Sequence, residues 1–389
     1  MGIEDVVIHF GNGIQQAPGD LARKQSRAVP RVALVANIPA PYRVPVFNRI
    51  ARDRRIDFTA IFCAEREPDR HWDLERFQFK SVVLHQSFFS RKGRHIHNNL
   101  DVLRQLKAID PDVVITGGFN PTHLYAFLYA WWHGRKHICW TDGTVASERV
   151  LRVVHRWMRR FVFRRSAAFI GASNGSLDLY RSYGQANTRL FKSHLCVDNE
   201  RFRDARGQPK NFDLLFCGRL TQKKQPLFAI DVAEKAAALL GRRVSLLFVG
   251  AGELEVQLRE KAASASRADV SFHGFAAQAE LPGLYGSARI FLFPTSWDPW
   301  GVVANEACAA GLPVIVTPFA GAVGEILQDG VNAFVLNPEV EAWAVAVQRL
   351  LTDGQLYEEF SRNSQRLVAG HNYEAAAAGV IDASLAALA

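Results

Sequence analysis

No stretch of this sequence is long and apolar enough to cross a bilayer. The nearest approach, Leu124–Trp132, is half of the roughly 18 residues a spanning helix needs, and it runs into His133-Gly134-Arg135-Lys136. The opening thirty residues lack both the basic start and the continuous apolar core of a signal peptide. The five cysteines, Cys63, Cys139, Cys196, Cys217 and Cys308, are odd in number and far apart, with no Cys-x-x-Cys pair. Cys139, Cys217 and Cys308 sit inside apolar runs, which reads as buried thiols. A disulfide scaffold and a structural zinc site are thereby excluded, and a reducing cytoplasm is the expected compartment. Sixteen prolines and 28 glycines are too few for a collagen-like or disordered chain. Short internal repeats are missing, and the one biased segment is the alanine-rich end, Ala375–Ala389.

What is present is an ordinary globular composition, 48% hydrophobic and 22% charged over 389 residues. At roughly 150 residues per domain this predicts two or three domains. Lysine and arginine number 47 against 38 acidic residues, a net charge of +9. The excess favours anionic partners: nucleic acid, anionic lipid or phosphorylated substrates. Nucleic acid is set aside, because the basic residues are not interleaved with aromatic platforms.

The organisation is α/β. Residues 1–29 carry little periodicity and read as a loose arm. From Arg31 short apolar runs alternate with helical stretches: Arg31–Ala36, Phe58–Cys63, Val82–Leu84, Val113–Thr116, His137–Trp140 and Ala167–Gly171. The pattern breaks near Lys192–Phe202, and the polar stretch Arg203–Asn211 reads as a linker. A second series follows at Leu214–Cys217, Val244–Val249, Val270–His273, Ile290–Phe293, Pro313–Val316 and Ala333–Leu336. Such alternation predicts parallel sheets built from βαβ units. The expected arrangement is two Rossmann-like domains, 30–195 and 204–370, facing a central cleft at their strand C-termini. Residues 371–389 would form a final helix.

Three segments carry chemistry. In Phe216-Cys217-Gly218-Arg219-Leu220-Thr221-Gln222-Lys223-Lys224, a strand ends at Gly218 and a helix follows Pro226. Cations there without a carboxylate suit a phosphate, or are simply a basic loop. In Val249-Gly250-Ala251-Gly252, Gly-x-Gly lets backbone amides approach a phosphate; the alternative is a tight turn that needs glycine sterically. In Asp298-Pro299-Trp300-Gly301-Val302 through Glu306, seven residues separate two carboxylates. One precedes a helix and the other lies two turns into it, natural acceptors for the hydroxyls of a ribose and a sugar. The amides of Trp300, Gly301 and Val302 would be open to phosphate or hydroxyl oxygens. A solvated helix-end pair would leave Glu306 oddly placed in the apolar run Val302–Ala310.

The order Gly-Arg-Leu…Lys, Val-Gly-x-Gly, His-Gly-Phe, Asp-Pro-Trp-Gly with its seven-residue spacing to Glu, Gly-Leu-Pro-Val-Ile, Gly321…Glu325-Ile and Asp329-Gly330 resembles the GT-B retaining glycosyltransferases of family 4. Asn37-Ile-Pro-Ala-Pro-Tyr42-Arg43-Val-Pro-Val-Phe47 resembles a branch associated with surface-polysaccharide assembly. The resemblance implies a GT-B fold and a metal-independent transfer from a nucleotide-diphosphate sugar, with no cofactor. By position, Arg219 and Lys224 match the family's diphosphate-binding pair, and Glu306 matches the ribose-binding acid. Asp298 matches the acid that contacts the donor sugar, one methylene shorter than the usual glutamate. Asn37–Pro41 replaces the family's glycine pair after the first strand. In related enzymes a His or Asp after the strand ending at Trp140 faces the reacting carbon, which makes Asp142 the base position; a turn aspartate before Gly143 is the alternative. The final helix would cross back to the first domain. A catalytically silent nucleotide-sugar-binding protein, or an epimerase on the same fold, are the other readings.

Seven arginines fall in 149–165, with no acidic residue among them. On a helical wheel Arg149, Arg152, Arg156, Arg159, Arg160 and Arg164 share one arc, opposite Val150, Leu151, Val154, Trp157, Met158, Phe161 and Val162. This predicts a helix with its apolar face inward and its arginines toward water or anionic headgroups. An inner-membrane surface and a lipid-linked acceptor saccharide are the corresponding partners. His95, His97, His133 and His137 lack companions at metal-ligand spacing and read as scattered surface residues. No metal site is expected.

Overall fold

The computed structural model describes residues 28–67, 76–85, 87–91, 94–148 and 151–389. All but the last two residues of the 1–29 arm lie outside them, as do Arg149 and Val150. The first half supplies strands β1 (Arg31–Ala36), β2 (Asp57–Phe62), β3 (Lys80–Val83), β4 (Phe88–Arg91), β5 (Arg94–His97), β6 (Val113–Thr116), β7 (Lys136–Thr141), β8 (Ala168–Gly171) and β9 (Leu190–Lys192). Seven of them form one sheet in the order β3-β2-β1-β6-β7-β8-β9. Every pairing in it is parallel. β4 and β5 make a separate antiparallel hairpin. The second half supplies β10 (Phe212–Cys217), β11 (Val244–Val249), β12 (Ala268–Gly274), β13 (Ala288–Phe293), β14 (Val314–Val316) and β15 (Ala333–Val335). Their order is β12-β11-β10-β13-β14-β15, again parallel throughout.

Parallel strands need crossovers on the sheet faces, so a central strand is covered on both sides and carries an unbroken apolar run. β1 shows this: Val32, Ala33, Leu34 and Val35 are all buried, with Leu34 opposite Ala60 on one side and Ile115 on the other. In the second sheet Leu214, Leu215 and Phe216 of β10 are buried in the same way. Each sheet therefore has apolar clusters on both faces.

The last helix, Tyr373–Leu388, packs on the first sheet, although the chain reaches it from the second. Ala376, Ala377, Val380, Ile381 and Ala383 share a core with Val32, Leu34, Ile138 and Ile170. The Asn372 side chain caps its start, accepting from the Ala375 amide at 2.9 Å. Its alanine content is a packing requirement. Small residues let the helix lie close to β8 and β9, and a Cβ on Gly379 would stand 1.8 Å from the carbonyl oxygen of Lys192. The two halves are further joined by the Asn305 side-chain amide donating to Leu195 O at 3.1 Å. Glu325 accepts from the Asn174 amide at 2.6 Å and pairs with Lys192 at 3.0 Å.

Gly379→Ala separates two opposed effects. Helix propensity alone predicts a gain of about 1 kcal/mol. The contact with the Lys192 carbonyl predicts a loss of roughly 1–3 kcal/mol. The expected outcome is a lower urea midpoint with an unchanged slope; a raised midpoint would show that the helix does not sit this close.

Candidate active site

The second sheet reverses its winding between β10 and β13. The chain runs outward through β11 and β12, then returns to pair β13 on the other side of β10, with Leu214 opposite Ile290. Loops leaving two such neighbours diverge around a crevice at their C-terminal ends. Here the loops are Gly218–Gln225 and 294–301. They are tied together: the Ser296 amide donates to Lys223 O at 2.8 Å, and the Lys223 ammonium sits 4.0 Å over the Trp297 ring. Lys224 and Asp298 form an ion pair across the crevice, both largely shielded from water. Arg219 is exposed on the same loop and makes no ion pair among the described residues. Arg219, Lys224 and Asp298, distant in sequence, therefore border one crevice.

Two helices begin beside it. Helix Pro226–Leu240 has proline at its first position and Gln225 before it in the left-handed region at φ 50°. Helix Val302–Ala309 is preceded by Gly301 at φ 89°. A side chain at Gly301 would also strike Phe293, whose ring atoms lie 2.5 Å from the Cβ position. One expectation is corrected here. The Trp300 amide is not open to a ligand, because Asp298 Oδ1 accepts from it at 3.1 Å. The Trp300 side chain is buried, its indole N–H donating to Asn305 at 2.7 Å and its ring stacked on His371. Gly301 and Val302 supply the first-turn amides that remain at this helix end.

Gly250 and Gly252 turn out to serve packing. The Gly250 amide donates to Gly274 O at 2.7 Å, and a Cβ there would lie 2.0 Å from Gly218 O. A Cβ on Gly252 would lie 2.5 Å from Leu220 O. The following helix starts only at Glu255. These contacts fit the steric reading of the Gly-x-Gly, and their effect is to press the β11 turn against the Arg219 loop. The Gly218 amide is likewise engaged, with Val249 O at 2.9 Å.

Glu306 lies on helix Val302–Ala309, buried, and Tyr285 Oη donates to its Oε2 at 2.7 Å. Burial pushes its pKa up to about 7, against a smaller opposing effect of the Tyr285 hydrogen bond. Tyr285 gave no signal in the sequence: it is 21 positions from Glu306 and on another helix.

A second crevice opens at the reversal of the first sheet, between β1 and β6. A cavity of about 250 Å³ is lined there by Asn37, Tyr42, Arg43, Glu67, Gly117, Trp140 and Asp142 among others. Asp142 is half-exposed and paired with Arg43 at 3.0 Å. The Arg43 guanidinium lies 4.4 Å over the Trp140 ring and is nearly buried. Arg43 is thus a site residue without an assigned part in the sequence reading, although it is the one cation in the loop after β1. Two histidines read as surface residues are buried instead. His97 is fully enclosed and meets Glu67 at 3.0 Å. His137 lies between Thr116 and Ser166 at 3.0 and 2.8 Å, and burial lowers its pKa to about 3.

The arginine-rich segment also differs from its wheel. The helix spans Val153–Phe163, and only Val162 and Phe163 of it are buried. Val153, Val154 and Trp157 face solvent, while Arg159 turns inward to pair with Glu148 and to lie 4.8 Å over Phe119. The wheel sorts residues by angle without knowing which arc meets the sheet, and the Glu148 carboxylate draws one arginine in. Arg149 lies outside the described residues.

Residues 198–367 match the family described as glycosyl transferases group 1. The chain is 24% identical over 250 residues to an alpha-D-kanosaminyltransferase of Streptomyces kanamyceticus, covering 61% of this chain and 64% of that protein. It is 28% identical over 240 residues to a GDP-mannose:cellobiosyl-diphosphopolyprenol alpha-mannosyltransferase of Komagataeibacter xylinus, covering 57% and 60%. The matches span between 37% and 64% of these curated relatives' own lengths. The crystal structure of HepE from Anabaena in complex with UDP superposes with a TM-score of 0.70 at 16% identity, covering 92% of this chain and all of that one. The likeness in fold establishes the two-domain GT-B architecture.

The raised pKa of Glu306 has a consequence for stability. The unfolded carboxyl ionises near its ordinary value of 4.5 and the folded one near 7, so between these values the folded state binds more protons. Stability from this group is full below pH 4.5 and is lost as pH rises through 7. Glu306→Gln, which never ionises, is expected to be more stable than wild type at pH 8, by about 3 kcal/mol, and to match it near pH 4.5. Parallel melting curves in calorimetry check this, and an advantage that does not grow with pH would contradict it.

Proposed function

We propose that this chain, whose residues 198–367 belong to the group 1 glycosyl transferases, transfers a sugar from a nucleotide-diphosphate sugar to an acceptor hydroxyl with retention at the anomeric carbon, and does so without a metal ion. The observation that carries this reading is the crevice between β10 and β13, where Arg219, Lys224 and Asp298 meet the start of helix Val302–Ala309. Charge develops on the diphosphate as its bond to the anomeric carbon breaks. Arg219, the Lys224 ammonium and the Gly301 and Val302 amides are fixed donors for that charge, and such donors are each worth roughly 3 kcal/mol. The Lys224–Asp298 pair holds both side chains at the crevice before a donor arrives. On binding, the ammonium passes to the diphosphate and Asp298 to the sugar hydroxyls, so neither is left buried and unpaired. Glu306 takes the ribose hydroxyls.

The acceptor enters from the cavity beside β1 and β6. Its oxygen forms the new bond on the face the diphosphate leaves, and its proton passes to the departing phosphate oxygen. Asp142, already engaged by Arg43, orients the acceptor and forms no covalent bond. A saccharide on a lipid diphosphate is the acceptor class we favour. That class is named for the Komagataeibacter relative; with such an acceptor the enzyme would work at the inner face of the cytoplasmic membrane, in the assembly of a polysaccharide.

Arg219→Ala is expected to lower turnover about a hundredfold with an unchanged melting temperature, and Lys224→Ala to lower it as much with some loss of stability, because Asp298 is left shielded and unpaired. Near-normal turnover in both would remove the crevice as the donor site, and inhibition by EDTA would refute the metal-free mechanism. Binding of labelled donor with neither transfer nor hydrolysis would identify a silent nucleotide-sugar binder.

Asp298→Ala and Glu306→Ala separate the two ends of the donor. Isothermal titration with free nucleoside diphosphate is expected to show weakened binding in the Glu306 variant and retained binding in the Asp298 variant. The reverse order would exchange their parts.

A further inference from the structure

Helix Val153–Phe163 and the end of helix Pro121–Trp132 together leave an aromatic face in solvent. Trp132 is 83% exposed, Trp157 70% and Val153 72%. Across the two helices the face is continuous through Trp131, Phe161 and Trp157, and Trp132 follows Trp131 at the helix end. Phe161 lies 5.9 Å from the Trp131 ring and 6.3 Å from the Trp157 ring, centroid to centroid, and the Arg165 guanidinium sits 4.0 Å over Phe161. Contiguous exposed apolar surface of this kind marks a place where something else is meant to sit. Its rim has one sign of charge. Arg156, Arg160 and Arg164 are exposed and form no ion pair among the described residues, and residues 149–165 include no acid. The neighbouring carboxylates Glu148 and Asp110 are already engaged, with Arg159 and Arg135.

We propose that this face docks the protein on an anionic bilayer, with Trp132 and Trp157 entering the interface and Arg156, Arg160 and Arg164 on the lipid phosphates. Indole rings and arginines on long apolar stems are the side chains that a headgroup region accommodates together. An anionic surface answers the unpaired arginines. A second copy of the chain does not: a two-fold contact through this patch would set an all-arginine rim against another. The mode differs from attraction by a basic helix alone, because the apolar residues contribute burial as well as the arginines charge. The inference rests on this surface and not on the donor site. It has a bearing on the reading above, because the Thr141–Asp142 segment lines the acceptor cavity and the chain passes from it, through a short connection, into the exposed helix.

The test is sedimentation of the full chain with vesicles of phosphatidylcholine, with and without phosphatidylglycerol as a minority lipid, alongside quenching of tryptophan emission by brominated lipid. Wild type is expected to partition to the anionic vesicles and to be quenched. Trp132→Ser with Trp157→Ser should reduce partitioning at least about tenfold and abolish most of the quenching; Arg156→Glu with Arg160→Glu should reduce partitioning as much. All four side chains are exposed, so the melting temperature and the binding of free nucleoside diphosphate should stay as in wild type. Arg159 is left in place because it pairs with Glu148. Wild type that stays with the supernatant, variants that partition undiminished, or a dimer that the tryptophan pair dissolves would each overturn the proposal. Loss of diphosphate binding in wild type would count against the donor site alone.

Discussion

Every feature of the molecule that bears on chemistry depends on one constraint, that all thirteen strands of the two large sheets run parallel within their sheet. A parallel sheet cannot be closed by hairpins, so each connection leaves at the same edge and crosses back over a face, most of them through a helix. The faces are thereby used up in packing, and the C-terminal edge is left for side chains that need water or a ligand. Where the winding reverses, neighbouring loops part, and the two crevices of this protein lie at its two reversals. The residues around them are polar because the edge is the place in such a sheet where polar side chains can gather without breaking a core.

Within that edge the charges are arranged to keep each other available. A lysine shielded as Lys224 is would lose hydration without a partner, and Asp298 replaces it. Arg43 is spread over the Trp140 ring and held to Asp142 in the same manner. The pairs are held across loops, so each also fixes the distance between two segments that share no strand. Glu306 is the contrast. It has one hydrogen-bond donor in an apolar setting, and its proton affinity rises accordingly.

Much of this was legible beforehand, and the parts that were not share a cause. Buried central strands announce themselves as unbroken apolar runs, so β1, β6, β10 and β13 stood out, and the cations after β10 and the acids flanking Gly301 followed from their places at strand and helix ends. β9 is three half-buried residues, Leu-Phe-Lys, at a sheet edge, and the β4–β5 hairpin carries Ser90, Arg91 and His95, a pattern no apolar count detects. Contacts made between elements were invisible for a different reason. Tyr285 on Glu306, Arg43 on Asp142, Glu67 on His97 and Glu148 on Arg159 each pair residues whose proximity exists only after the sheet has formed. The glycines of Val249-Gly250-Ala251-Gly252 were located correctly, but whether a missing Cβ makes room for a ligand or for a neighbouring turn depends on what lies opposite.

The final helix has one more implication. Because Tyr373–Leu388 is built into the core of the first sheet, the described residues begin and end in the same body, and the second sheet with its helices is an insert joined to it by two backbone connections. These tethers pass side by side, with the His194 and His371 rings 4.2 Å apart. A body held at two adjacent points swings about the line between them more readily than it slides, as a door does on a pair of hinges. Exchanging the insert for another of its kind would require two matched junctions, one on each tether.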